Sequence, residues 1–207
     1  LTANLNLSDG KAHRVTVTVR DASGNLGRGS ADVASSVTAG TFSDMDDHWA
    51  ATYAGYLYEH SVTNGVGGAD GALLFQPDRN ISRGEFFAMT ARWMGLDLSL
   101  YADTELPFAD ADTIPDWCRS EIKAMYALGI LQGTAGADGS LLANPNASIT
   151  RVEVMTVLGR TQAKGYATAP LTFTDASSVG SWALPYVETL VAQGIVSGYQ
   201  NLSLIHI

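Results

Sequence analysis

Residues 68–85 read GADGALLFQPDRNISRGE and residues 136–153 read GADGSLLANPNASITRVE. Gly68-Ala69-Asp70-Gly71 stands beside Gly136-Ala137-Asp138-Gly139, Leu73-Leu74 beside Leu141-Leu142, and Pro77 beside Pro145. Ile81, Arg83 and Glu85 meet Ile149, Arg151 and Glu153. Working outward, Trp49 meets Trp117 at the same offset of 68, Gly65 meets Gly133, and Arg92 meets Arg160. A third copy opens at Trp182, with Gly194, Ile195 and Gly198 answering Gly129, Ile130 and Gly133 at an offset of 65. Each copy is preceded by a similar tripeptide, Phe42-Ser43-Asp44, Phe108-Ala109-Asp110 or Phe173-Thr174-Asp175. Such self-similarity marks repeated supersecondary units that bury their apolar faces on one another.

Each copy reads as helix, glycine loop, helix. The first helix places Trp49, Tyr53 and Leu57 at helical spacing, then Trp182, Tyr186 and Leu190. The second copy is looser, with Trp117, Ile122 and Met125. Gly129 and Gly194 fall where a left-handed helix cap belongs, and Ser61 takes that place in the first copy as a poorer cap. Asp70-Gly71 and Asp138-Gly139 predict small hairpins. The second helices open on Ser82-Arg83-Gly84-Glu85 and Thr150-Arg151-Val152-Glu153, both capping boxes. Their apolar faces are expected at Phe86, Met89 and Trp93, and at Val154, Val157 and Leu158.

The N-terminal text is different. Val15 to Arg20 alternates with period 2, as a half-buried strand does, and a weaker strand is expected around Ser30 to Val33. Leu5-Asn6-Leu7 offers part of another strand, Ser8-Asp9-Gly10 and Asp21 to Asn25 offer turns, and Ser35 to Gly40 a linker. The stretch resembles the closing strands of an immunoglobulin-like extracellular domain. The first residue is Leu1 and no charged, apolar leader is visible, so the chain reads as a fragment with its N-terminus and any export signal upstream.

Composition narrows the function. The chain has 207 residues, 46% of them hydrophobic and 16% charged, enough to bury a sizeable core. Residues 1–40 are nearly balanced, so the net charge of −9 lies in the body of the chain, which disfavours nucleic acid. No apolar run approaches the roughly 18 residues of a membrane span. Cys118, the only cysteine, aligns with Ala50 and Ala183 and reads as a small packing residue. The acidic cluster Asp44, Asp46, Asp47 and the pair Asp110, Asp112 lack a calcium-loop pattern, and the four histidines lack zinc spacing. No metal and no cofactor is expected.

The order Phe-x-Asp, Trp-Ala, Leu-Gly-Ile with a following Gly, then Pro-x-x-x-Ile-Thr-Arg-x-Glu resembles the S-layer homology (SLH) repeat, over about residues 42–200. The resemblance implies a mainly α fold of tandem helix-loop-helix repeats arranged as a pseudo-threefold bundle, incomplete here, with a short N-terminal β segment. The expected division is strands at 1–34, a linker at 35–41, repeats at 42–98 and 106–166, a partial repeat at 171–201, and an unassigned tail at 202–207. Asn201 to Ile207 departs from the family's text and puts the third groove in doubt; exposed apolar surface is expected there.

The family fixes exported proteins to bacterial cell walls by holding secondary cell-wall polysaccharide, often pyruvylated. Its recognised ligand contact, the Arg of Thr-Arg-Ala-Glu, falls on Arg83 and Arg151. A cation in a helix's first turn faces the positive end of the macrodipole, so each Arg needs either a Glu or an anionic ligand as partner. Trp49, Trp117 and Trp182 can stack on sugars, although their spacing favours core anchors. Asp44, Asp110 and Asp175 read first as helix-entry caps or turn residues. Asp44, Asp110, Gly65 and Gly133 complete the candidate glycan-binding set.

The expectation is a non-catalytic, surface-located anchor with wall polysaccharide as partner, other S-layer subunits as a further partner, and neither nucleic acid nor membrane span. Two alternatives stay open: the anchoring end of an exported polysaccharide hydrolase, and a structural protein of the surface lattice.

Overall fold

The computed structural model describes residues 13–20, 26–33, 41–162, 168–199 and 203–204. Strands β1 (His13–Arg20) and β2 (Leu26–Val33) pair antiparallel, from His13 opposite Val33 to Arg20 opposite Leu26. The alternation at Val15 to Arg20 therefore does form a strand, and its partner is longer than the sequence suggested. The expected strand at Leu5 to Leu7, both N-terminal turns, Ser35 to Gly40 and most of the tail lie outside the described residues. The rest is mainly helical. The chain divides into two compact units, residues 1–79 and 80–207.

In the first unit, helix α1 (Ala51–Glu59) is followed by a hairpin of β3 (Val66–Gly67) and β4 (Leu73–Leu74). Its core gathers Phe42, Met45 and Ala54, with Leu73 and Phe75 packed against them. The Phe42 ring meets Phe75 at 5.3 Å and Tyr58 edge-on at 5.4 Å.

The second unit contains α2 (Arg83–Trp93), α3 (Asp116–Ala127), the hairpin β5 (Thr134–Ala135) and β6 (Leu141–Leu142), α4 (Arg151–Thr161) and α5 (Leu184–Ala192). Helix α2 packs on α3, and α4 on α5. The second helix of one copy therefore packs on the first helix of the next. Phe87, Ala88 and Ala91 of α2 join Cys118, Ile122 and Met125 of α3 in one core. Met155 of α4 joins Ala183, Val187, Leu190 and Leu204 in another. Burying a side chain of this size contributes about 2 kcal/mol.

The start of α2 shows why the copies interlock. Its first amides have no partner within the helix. Arg83 and Gly84 donate instead to Ala147 O and Pro145 O of the next copy, at 2.9 and 2.8 Å. The approach is close at Gly84, where a Cβ would lie 3.1 Å from Pro145 O.

Several sequence expectations hold. Both capping boxes form, Gly129 and Gly194 adopt φ of +71° and +69°, and Ser61 takes the same left-handed conformation at 57°. Cys118 is fully buried, and burial, reinforced by Glu121, pushes its thiol up to about 11, so it stays a protonated packing group.

The phase of the apolar stripes needs correction. Trp49, Trp117 and Trp182 are 81%, 54% and 51% exposed, so none is a core anchor. Ile122, Met125 and Leu190 are buried as expected, but Cys118 takes the core place expected for Trp117, and Ala183 and Val187 those expected for Trp182 and Tyr186, each one residue later on the helix. In α2 the buried apolar side chains are Phe87, Ala88 and Ala91, while Trp93 is exposed; in α4 they are Met155 and the expected Val157. The tail also differs from expectation: Ser203 and Leu204 are buried, and Leu204 sits in the third copy's core.

Candidate functional site

Each loop is fixed by the aspartate of the Phe-x-Asp tripeptide. The Asp44 carboxylate accepts from the amides of Phe75 and Gln76 at 2.8 and 2.7 Å, and Asp110 from Ala143 and Asn144, both at 2.8 Å. Asp175 accepts from the Leu204 amide at 2.7 Å and the Ser203 hydroxyl at 2.6 Å. Asp110 and Asp175 make no side-chain cap to the short helices that follow them. The helix-entry reading is therefore replaced: these carboxylates clasp a loop distant in sequence. The second residue held in the Asp44 and Asp110 clasps turns sharply, Gln76 at φ 59° and Asn144 at φ 50°.

The clasp delivers one carbonyl to the arginine of the preceding copy. Arg83 Nε donates to Ala143 O at 2.9 Å, and Arg151 Nε to Leu204 O at 2.8 Å. The two heads then differ. Arg83 is 6% exposed, lies 5.4 Å from the Phe87 ring, and pairs through Nη1 with Glu153 Oε1. Glu153 is shared, because its Oε2 closes the α4 cap from the Thr150 amide at 2.9 Å. Arg151 is exposed, sits 4.8 Å from the Tyr199 ring and makes one long bond, 3.3 Å, to Ser197 O. Among the described residues no carboxylate pairs with it.

Arg83 opens on a groove of about 450 Å³, also lined by the 130–135 loop, Glu153, Thr156, Arg160 and Trp182. Arg160 donates to Ile130 O at 2.9 Å and Gln132 Oε1 at 2.8 Å, with its guanidinium 5.1 Å from the Tyr186 ring. Its Nε is buried, with no hydrogen-bond partner among the described residues. Gly133 is forced: φ is +79°, and a Cβ would lie 2.7 Å from the Phe108 ring. Gly65 repeats this at φ +68°, 2.6 Å from Phe42.

Of the candidates read from sequence, Arg83, Gly133 and Trp182 converge on this groove. Arg151, Trp117 and Asp110 lie elsewhere in the same unit, and Trp49, Asp44 and Gly65 in the first unit. Arg160 and Gln132 were not singled out. The recurrence of Arg92 as Arg160 was the available signal.

Interlocked helix-loop-helix copies, with an arginine recurring at each junction and a groove beside Arg83, define a tandem-repeat module. The profile of the S-layer homology domain matches residues 41–87, 107–155 and 172–201, more than half of the chain, and the chain belongs to that family. It is 31% identical to an amylopullulanase of Thermoanaerobacterium thermosulfurigenes over 78% of this chain and 8% of that protein. It is 33% identical to cell surface glycoprotein 1 of Acetivibrio thermocellus over 68% of this chain and 6% of the relative. A cellulosome-anchoring protein of the same organism is 31% identical over 62% of this chain and 28% of its own length. The chain thus spans a minor part of these relatives. Family membership and the surface proteins among the relatives indicate a cell-surface location.

Proposed function

We propose that the chain is a non-catalytic anchoring module that holds a larger exported protein at the bacterial surface by binding secondary cell-wall polysaccharide. The observation that carries this reading is the groove where the Arg83 and Arg160 guanidiniums, Gln132, Thr134 and the half-exposed Trp182 indole meet. Planar donors with an aromatic face suit a sugar ring, whose hydroxyls accept bonds and whose C–H face stacks.

An acidic or pyruvylated substituent has its best partner in Arg151, whose head is exposed and free of carboxylates among the described residues. Arg83 is held by Glu153 and acts chiefly as a strut that shapes the groove. The amylopullulanase and endoglucanase among the relatives favour a cargo that is itself a polysaccharide hydrolase. A surface-layer protein of Lysinibacillus sphaericus favours a lattice subunit as the second reading.

The test is sedimentation with isolated wall sacculi, before and after removal of the non-peptidoglycan glycan. Binding should vanish with the glycan, and equal binding to both would overturn the proposal. Arg151→Ala should weaken binding about tenfold or more, as expected for one charge-assisted contact, with unchanged helix content. Trp182→Ala should weaken it to a similar degree without loss of stability.

A further inference from the structure

We propose that Arg160 is the residue through which the groove beside Arg83 selects a sugar carrying one carboxylate, and that Tyr186 is what leaves its charge uncompensated. The inference rests on the groove reading above and adds a position for an acid beyond that at Arg151.

Among the described residues, the charged side chains that line the groove are Arg83, Glu153 and Arg160. Arg83 and Glu153 form an ion pair and cancel, so the positive charge that remains is that of Arg160. Its Nη1 donates to Ile130 O and its Nη2 to Gln132 Oε1, both neutral acceptors. Among the described residues no carboxylate pairs with it. Each Nη of a guanidinium carries two N–H groups, so one on each is left for a ligand. Nε is buried with no hydrogen-bond partner among the described residues, which leaves the head short of acceptors.

The equivalent arginine one copy earlier has a different neighbour. Arg92 of α2 pairs with Glu121 of α3 at 3.4 Å. Tyr186 takes the place of Glu121 on α5, at the offset of 65 that relates Trp117 to Trp182. A carboxylate neutralises a guanidinium, whereas a ring orients it and leaves its charge in place. The Tyr186 ring lies 5.1 Å from the Arg160 guanidinium. Helix α4 passes so close here that a Cβ on Gly159 would lie 2.5 Å from Tyr186 Cβ, which holds the tyrosine under the arginine. The half-exposed Trp182 indole in the same groove offers a face to a sugar ring. A neutral sugar would use Trp182 and leave the Arg160 charge without a partner, and a carboxylated one uses both.

The test titrates the full chain with methyl glucuronide and with the pyruvate ketal of methyl galactoside, each beside its neutral methyl ester, while NMR follows the Trp182 indole N–H. At least one acid should bind about tenfold or more tightly than its ester, as one charge-assisted contact provides. Selectivity for the glucuronide identifies a uronic acid, and selectivity for the ketal a pyruvylated sugar. Tyr186→Glu restores the counter-charge seen on α3 and should bring the acid's affinity down to that of its ester. Tyr186→Phe keeps the ring and should keep the preference. Arg160→Met should remove the preference with circular dichroism unchanged. Acids and esters that bind equally, or a preference that survives Tyr186→Glu, overturn the proposal and leave the glycan reading standing. If neither acid nor ester moves the Trp182 signal, the groove reading fails and this proposal fails with it.

Discussion

Asp44 reaches 31 and 32 residues along the chain to hold two amides, and Asp110 reaches 33 and 34, so a single carboxylate fixes the geometry of each loop. Burial pushes the Asp44 carboxyl up, but the Phe75 and Gln76 amides, aided by His48, outweigh it and hold it below its ordinary value. A depressed carboxylate stabilises the fold above its unfolded pKa, about 3.9, and loses that contribution as pH falls through the lower folded value. Asp44→Asn should therefore flatten the acid limb of the urea-stability curve below about pH 4, and cost about 1 kcal/mol at pH 7 after allowance for partial exposure. Ser61 gives the opposite sign. It holds φ 57° where Gly129 and Gly194 hold +71° and +69°. Ser61→Gly should add about 0.5–1 kcal/mol, seen as a rise of a few degrees in Tm. The cap position was legible because the repeat supplied glycine twice for comparison. The aspartate clasp was not, because a carboxylate followed by a short helix reads locally as a cap and its true partners lie a whole loop away.

The capping boxes were legible because both halves of the motif lie within four residues. The apolar stripes were legible at Ile122, Met125 and Leu190 but not at their tryptophan ends. Cys118 and Ala183 occupy the interior line there, and such small residues carry little weight in a pattern dominated by the neighbouring tryptophans. The two arginines also looked equivalent in sequence, whereas the structure separates them through Glu153. That carboxylate caps its own helix with one oxygen and pairs with Arg83 through the other. Thr150→Ala removes only a cap and should cost about 1 kcal/mol. Glu153→Gln leaves the nearly buried Arg83 head without its counter-charge and should cost about 3 kcal/mol. Urea denaturation of the two variants checks the ordering; equal losses would show that the Arg83 pair contributes nothing beyond the cap.

At the scale of the whole molecule, the period of the sequence and the period of the packing are out of step by half a repeat. Sequence comparison begins each copy at its Phe-x-Asp tripeptide. The cores instead join the second helix of one copy to the first helix of the next, α2 with α3 and α4 with α5. The division between compact units accordingly falls between Arg79 and Asn80, inside the first copy rather than at its edge. Residues 80–207 should therefore fold alone, with helical circular dichroism and a cooperative urea transition. Residues 106–166, the second copy as sequence delimits it, should not. That fragment exposes Cys118, Ile122 and Met125, fully buried in the intact chain, and strips α4 of the α5 face that covers Met155. Exposing three such core side chains costs about 5 kcal/mol or more, comparable with the entire stability of a small domain. Cooperative folding of 106–166, or failure of 80–207, would show that stability follows the sequence repeat and not the interlocked helix pair.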